Sequence, residues 1–296
     1  MPHISICIPA YQAERFLRET LESVRTQTFT DWEIIVTEDG SRDRTEEIIN
    51  EFAKTVTQPV RYTRHDPNQG LPATRNAGIA LAKAEWIALL DADDLWKPEH
   101  LENLWSCAQK TQADIIHSAS LLFDSATGGE IQIRAPNEEM LADFQPSMFR
   151  GEYIVQPSSV LMRQALWQKV SGFDPSFRYV EDREMWIRCI RAGGTFAYNG
   201  KTTCRYRKHP GALSYSGLDM ALANAQVFDK NMDWNVVALK VRKQLSAQAW
   251  YAYGRIAWRA NPSGAVSAFA RSLHYQPLVP ATLFYWLLAR IWDFVK

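Results

Sequence analysis

The run Trp86-Ile87-Ala88-Leu89-Leu90, followed by Asp91-Ala92-Asp93-Asp94, constrains the fold more than any other part of this 296-residue chain. Its apolar and small residues predict a buried strand. Three carboxylates then arrive within four residues, where that strand must end. Burying so much negative charge unpaired is very costly, so the acids belong at a strand mouth and need a cation. Oxygen ligands at this spacing suit Mg²⁺ or Mn²⁺, which also accept phosphate oxygens. The competing reading is a loop whose acids cap the next helix, with Pro98 in its first turn. Capping uses one carboxylate and leaves two unexplained.

Apolar runs that end in polar loops organise the whole first half. Ile4 to Ile8 predicts a strand closed by Pro9. Phe16, Leu17, Thr20, Leu21 and Val24 then repeat at helical spacing. Glu33 to Thr37 predicts a second strand running into Glu38-Asp39-Gly40-Ser41. Asp43 with Glu46 marks a helix start, and Ile48, Ile49, Phe52 and Val56 give that helix its apolar face. Val60 to Thr63 reads as a third strand and Leu71 to Ala82 as a small-residue helix. Such alternation predicts an α/β fold, with βαβ units, a mostly parallel sheet and helices on both faces. Right-handed crossovers put the loops after the strands on one edge, where open α/β sheets bind ligands. Pro9-Ala10-Tyr11, Glu38-Asp39-Gly40-Ser41 and Asp91-Ala92-Asp93 are therefore expected in one crevice.

Farther on the pattern loosens. Phe123 to Gln156 reads as loops or an excursion over the active face. Ser158 to Met162 predicts a strand, Arg163 to Val170 a helix, Gly172-Phe173-Asp174-Pro175 a turn, Glu181 to Ala192 a helix, and Thr195 to Tyr198 a short strand. Beyond Leu218 the pattern is helical, with Asn261-Pro262 as an N-cap and a first helical residue. The expected division is a nucleotide-binding domain over 1–217 and a helical appendage over 218–296.

Several classes are disfavoured. No Gly-x-Gly-x-x-Gly follows the first strand and no Gly-rich loop carries a phosphate-binding Lys, which argues against dinucleotide redox chemistry and Walker-type sites. Lys plus Arg equals Asp plus Glu at 33 each, so net charge offers no case for nucleic acid. Cys7, Cys107, Cys189 and Cys204 are scattered, without zinc-like spacing or a disulfide pattern. A reducing cytoplasmic setting follows, and the direct start into Ile4 argues against a signal peptide.

The segment from Leu278 to Lys296 crowds Leu283, Phe284, Trp286, Leu287, Leu288, Ile291, Trp292, Phe294 and Val295 together. Its polar residues Thr282, Arg290, Asp293 and Lys296 fall on one helical stripe. The uncharged run ends at Arg290, short of the ~20 residues that span a bilayer. Packing on the catalytic domain, a homodimer contact and peripheral contact at the inner face of a membrane remain open, the first two ahead because the stripe is not notably basic.

Five segments resemble motifs of the family-2 nucleotide-sugar glycosyltransferases, and in that family's order. Ile4-Ser5-Ile6-Cys7-Ile8-Pro9-Ala10-Tyr11-Gln12 is similar to the opening strand, with Gln12 where Asn is usual. Glu33 to Asp43 resembles the strand that enters Asp-Asp-Gly-Ser-x-Asp, with Glu38 replacing the first acid. Asn68-Gln69-Gly70 with Arg75-Asn76-Ala77-Gly78 resembles the third signature. Asp91-Ala92-Asp93 matches the DxD metal motif, and Glu181-Asp182 resembles the acidic motif holding the catalytic base. The resemblance covers roughly residues 3 to 210 and implies a GT-A fold.

It also implies roles. Asp93 is the expected ligand of a Mn²⁺ or Mg²⁺ cofactor, with Asp91 on ribose or metal and Asp94 behind them. Asp182 is the expected general base, with Glu181 its local competitor; both acids would also favour a helix N-terminus. One base and one displacement imply inversion at the anomeric carbon. Pro9, Tyr11, Glu38, Asp39, Arg75 and Ala92 are expected along the nucleotide sugar. Arg207 and His209, in a basic cluster after the last strand, are expected near its diphosphate. Gln156-Pro157-Ser158-Ser159 is a candidate acceptor wall. The implied partners are a UDP-sugar donor and a glycan or lipid-linked acceptor, in surface polysaccharide or glycolipid synthesis. A metal-dependent phosphohydrolase or nucleotidyltransferase, and a non-catalytic sugar-nucleotide-binding protein, are the alternatives.

Overall fold

The computed structural model describes residues 2–277 and 279–295, with the side chains of 214 and 293–295 left aside. The first half alternates as β1 (Ile4–Ala10), α1 (Leu17–Arg25), β2 (Trp32–Glu38), α2 (Thr45–Ala53), β3 (Val60–Arg64), α3 (Leu71–Ala80) and β4 (Trp86–Leu89). There follow β5 (Leu95–Trp96), α4 (His100–Thr111), β6 (Ile115–Asp124), β7 (Glu130–Arg134), α5 (Glu138–Ala142) and α6 (Phe144–Arg150). A short 3₁₀ turn at Pro157–Ser159 leads into β8 (Val160–Arg163), α7 (Gln164–Lys169), α8 (Glu181–Arg191) and β9 (Phe196–Lys208). Helices α9 (Gly217–Lys230), α10 (Leu239–Ala257), α11 (Pro262–Tyr275) and α12 (Pro280–Val295) end the chain.

Among the described residues the strands form one sheet in the order β3-β2-β1-β4-β8-β6-β9-β5, with β7 paired to β6. The β3-β2-β1-β4 half is parallel, as the alternation predicts. Beyond β4 the sheet is mixed: β8 runs antiparallel to both β4 and β6, and β9 runs parallel to β6. Every residue of β1 and of β2 is buried. Ile4, Ile6 and Ile8 pack in one core with Leu17, Leu21 and Val24 of α1. At roughly 1.5–3 kcal/mol for each such side chain, this burial anchors the parallel half. Gly78 lets α3 approach β2 closely, since a Cβ there would lie 2.8 Å from Thr37 Oγ1.

The chain divides into two compact units. One comprises Met1–Ala142 and Tyr153–Pro210; the other comprises Asp143–Glu152 and Gly211–Lys296. Part of the stretch read as loops is thus a helix, α6, that belongs with the C-terminal helices. The short strand expected at Thr195 to Tyr198 is instead the 13-residue β9. Arg205 and Arg207 therefore lie within the last strand rather than after it.

In the second unit Asn261 caps α11 as expected, its side chain accepting from the Gly264 N–H at 3.0 Å. Phe269, Trp250, Tyr253 and Ala289 form that unit's core, so α12 packs on its own unit. Leu278 and Lys296 lie outside the described residues.

Candidate active site

The ends of β1 and β2 are tied together. The Asp39 N–H donates to Ala10 O at 2.8 Å, and the Gln12 N–H donates to Ser41 Oγ at 2.8 Å. Asp39 is buried, and its carboxylate accepts from the Gln69 and Gly70 N–H groups at 2.9 and 2.8 Å and contacts His65 Nδ1 at 2.9 Å. Burial alone would raise its pKa, but these bonds outweigh burial and hold it below the usual carboxylate range. Tyr11, just past β1, is 52% exposed and available to a ligand. Pro9 lies buried in β1, in register with Thr37. Glu38, expected along the ligand, is fully buried and turned away into its own loop. It accepts from the Ser41 N–H, from the Tyr62 hydroxyl at 3.1 Å and from Arg64 at 3.0 Å, so it braces the turn that carries Asp39.

Arg75 of α3 is the hinge of the site. Its guanidinium is 2% exposed, donates to Asp91 at 2.6 Å and to Glu181, and lies 5.3 Å from the Phe173 ring. The adjacent Asn76 fixes that ring: its amide donates to Phe173 O at 2.7 Å, and its carbonyl accepts the Phe173 N–H at 2.8 Å. Arg75 was expected to touch donor base or phosphate; instead it joins the first acid of the DxD motif to the first acid of α8. The left-handed backbone at Val180 (φ 58°), immediately before Glu181, is strained for a β-branched residue.

Burial pushes Glu181 up to about 7, with Asp182 adding to the shift and Arg75 opposing it. Burial also raises Asp182, against the Arg183 N–H and Arg75. The two acids therefore share charge reluctantly, a common property of proton-transfer sites.

The DxD loop is held from below by Asp94, which is buried and caps no helix. The Ser158 hydroxyl donates to Asp94 Oδ2 at 2.6 Å and accepts the Asp91 N–H at 3.0 Å. The Arg207 N–H donates to Asp94 Oδ1 at 2.9 Å. Ser158 is thus a buried brace, not part of an exposed acceptor wall. Ala92 is tied in by the Thr20 hydroxyl, which donates to its carbonyl at 2.9 Å. Arg207 differs from expectation as well. It is 4% exposed, and its guanidinium donates to Asp93 O at 2.6 Å and to Glu19 at 2.8 Å, with its carbon 4.5 Å from the Phe16 ring centre. It fixes the loop's backbone rather than presenting charge to a diphosphate. Glu19 and Phe16 gave no sequence signal, because both sit on an ordinary amphipathic helix start.

Asp93 faces outward, with a third of its side chain exposed. His209 Nε2 lies 2.9 Å from Asp93 Oδ2, and its ring packs on Phe16 at 4.8 Å. His209 is therefore beside the candidate metal carboxylate. Among the described residues no three His, Cys, Asp or Glu surround one ion position. One exposed carboxylate fits a cation shared with donor phosphates, the usual mode for Mg²⁺, better than an all-protein cage.

The chain belongs to glycosyl transferase family 2, whose profile matches residues 5–168. It is a glycosyltransferase with a GT-A type fold. Glycosyltransferase GlyG of Streptococcus pneumoniae is 25% identical over 250 residues, covering 79% of this chain and 81% of that protein. An uncharacterised glycosyltransferase of Methanocaldococcus jannaschii is 26% identical over 208 residues, covering 70% and 71%. The fold matches S. aureus TarS 1–349 in complex with UDP-GlcNAc at a TM-score of 0.68 and 16% identity, over 93% of this chain and 81% of that one. It also matches the mannosyltransferase PcManGT from Pyrobaculum calidifontis, in complex with GDP-Man and Mn²⁺, at 0.64 and 16%, over 98% and 80%.

Proposed function

We propose that this enzyme moves a sugar from a UDP-sugar to a hydroxyl of a glycan or lipid-linked acceptor, inverting the anomeric centre, in surface polysaccharide or glycolipid synthesis. The observation that carries the reading is Arg75, whose buried guanidinium joins Asp91 to Glu181 and so brings both acidic motifs to one place. Asp39 and Tyr11 receive the nucleoside, Asp39 as an acceptor held ionised by its donors. Asp93, with His209 beside it, would hold Mn²⁺ or Mg²⁺ together with the diphosphate. When bound, that cation neutralises charge on the leaving diphosphate. Asp182, raised by burial, takes the acceptor hydroxyl's proton as the new bond forms and the nucleoside diphosphate leaves. A single base without a second nucleophile supports inversion. The UDP-GlcNAc complex of one fold relative supports the donor choice, and the Mn²⁺ complex of another, which holds GDP-Man, supports the cation.

The test is a thermal-shift screen of nucleotide sugars with and without Mn²⁺, followed by NMR assignment of the product's anomeric configuration. Stabilisation by UDP-sugars and an inverted product are expected. Retention, or donor hydrolysis with no acceptor product, overturns the reading.

A further inference from the structure

Helix α12 is built inside out. Its polar residue Thr282 and small residue Ala289 are buried, 2% and 0% exposed, on the side packed against the second unit's core. Phe284, Leu287 and Ile291 share the opposite side, at 58%, 54% and 61% exposed. A helix that only packed on its own domain would turn these residues inward. The polar stripe read from the sequence therefore faces the protein at Thr282, and the apolar face is outward.

The charge around that face is one-sided. From Trp234 to Trp292 the sequence has no Asp or Glu, yet it holds seven Lys or Arg residues, in a chain whose net charge is zero. Three of these border the apolar face through aromatic rings. Arg255 lies 4.0 Å over Tyr285 of α12, and Arg290 lies 5.1 Å over Trp286. Arg259 lies 5.1 Å over Trp258, whose ring is 6.4 Å from Trp292. All three arginines are exposed, and none is ion-paired with a carboxylate among the described residues.

We propose that the outer face of α12 docks on the surface of an anionic lipid bilayer. Phe284, Leu287 and Ile291 enter the acyl boundary, the aromatic rings sit at headgroup depth, and Arg255, Arg259 and Arg290 meet lipid phosphates. A second copy of this face is the poorer partner, since it would set three arginines against three, with Asp293 the one acid in the sequence of α12. No described helix is long and apolar enough to cross a membrane, so the contact is peripheral. The inference is independent of the donor reading, because lipid binding involves no turnover.

The full chain is tested by co-sedimentation with neutral phosphatidylcholine vesicles and with vesicles containing a third phosphatidylglycerol. Binding is expected to be at least tenfold stronger to the anionic vesicles and to weaken in high salt. Arg255→Gln with Arg290→Gln should lower it about fivefold per charge removed. Leu287→Asp with Ile291→Asp should abolish it at an unchanged melting temperature, because both positions are exposed. Equal binding to both vesicle types, or none, overturns the proposal. So does a dimer on sizing chromatography that the double Asp variant converts to monomer without any vesicle binding.

Discussion

Arg75 holds Asp91 at 2.6 Å inside the protein, and the same guanidinium reaches Glu181, 106 residues farther along the chain. One cation thus fixes the spacing between the strand-end acids and the helix that carries Glu181 and Asp182. Removing one partner of a buried ion pair costs about 3–5 kcal/mol, because the remaining charges stay buried without a counterion. Arg75→Met should therefore lower the melting temperature by several degrees. Arg75→Lys keeps the charge but loses the fork that serves two carboxylates. It should fold and show kcat reduced at least tenfold with a smaller change in KM. Wild-type kcat in Arg75→Lys would remove Arg75 from the positioning role.

Much of this arrangement was legible in the sequence. The strands β1, β2 and β4 are short apolar runs closed by polar loops, and the loops meet where parallel topology puts them. Other parts were not. β6 reads Ile-Ile-His-Ser-Ala-Ser-Leu-Leu-Phe-Asp, and its central polar residues hide a strand that is buried along nearly its whole length. β9 carries Asn199, Gly200 and Lys201 in its middle, which breaks any apolar period. Arg75 and Arg207 read as ligand contacts because arginine is seldom fully buried. Their partners lie far away in sequence: Glu181 for Arg75, and Asp93, Asp94 and Glu19 for Arg207.

Asp93 is the outward-facing acid of the DxD loop, and under the proposed function a divalent cation shared with the diphosphate would depend on it. Asp93→Asn should weaken Mn²⁺-dependent UDP binding by calorimetry at least tenfold and reduce turnover in proportion. Excess EDTA should silence the wild-type enzyme, and added Mn²⁺ should restore it. Full turnover in EDTA would exclude the cation from the reaction.

Ser158 links the Asp91 N–H to the Asp94 carboxylate at full burial. Ser158→Ala removes one donor and one acceptor and leaves two buried groups unsatisfied. A loss of about 1–3 kcal/mol follows, measurable by urea unfolding, with weaker donor binding because Asp91 shifts. If unfolding is unchanged while only acceptor KM rises, Ser158 belongs to the acceptor pocket after all.

Burial raises the pKa of both Glu181 and Asp182, so stability and catalysis make opposite demands on pH. Burial lifts Glu181 from its ordinary 4.5 to about 7, so its protonated form is favoured in the fold. Its contribution to stability is complete below about pH 4.5 and is lost as pH rises through about 7. Catalysis runs the other way, because a general base works only when deprotonated. The profile of kcat/KM should rise with pH through the raised pKa of Asp182, while the melting temperature declines as Glu181 ionises, up to about pH 7. Glu181→Gln should retain transfer with the rising limb little moved, because the raised pKa of Asp182 comes from burial first and from Asp91. Asp182→Asn should abolish transfer with donor affinity nearly unchanged, since the lost interaction belongs to the transition state. An inactive Glu181→Gln beside an active Asp182→Asn would reassign the base to Glu181.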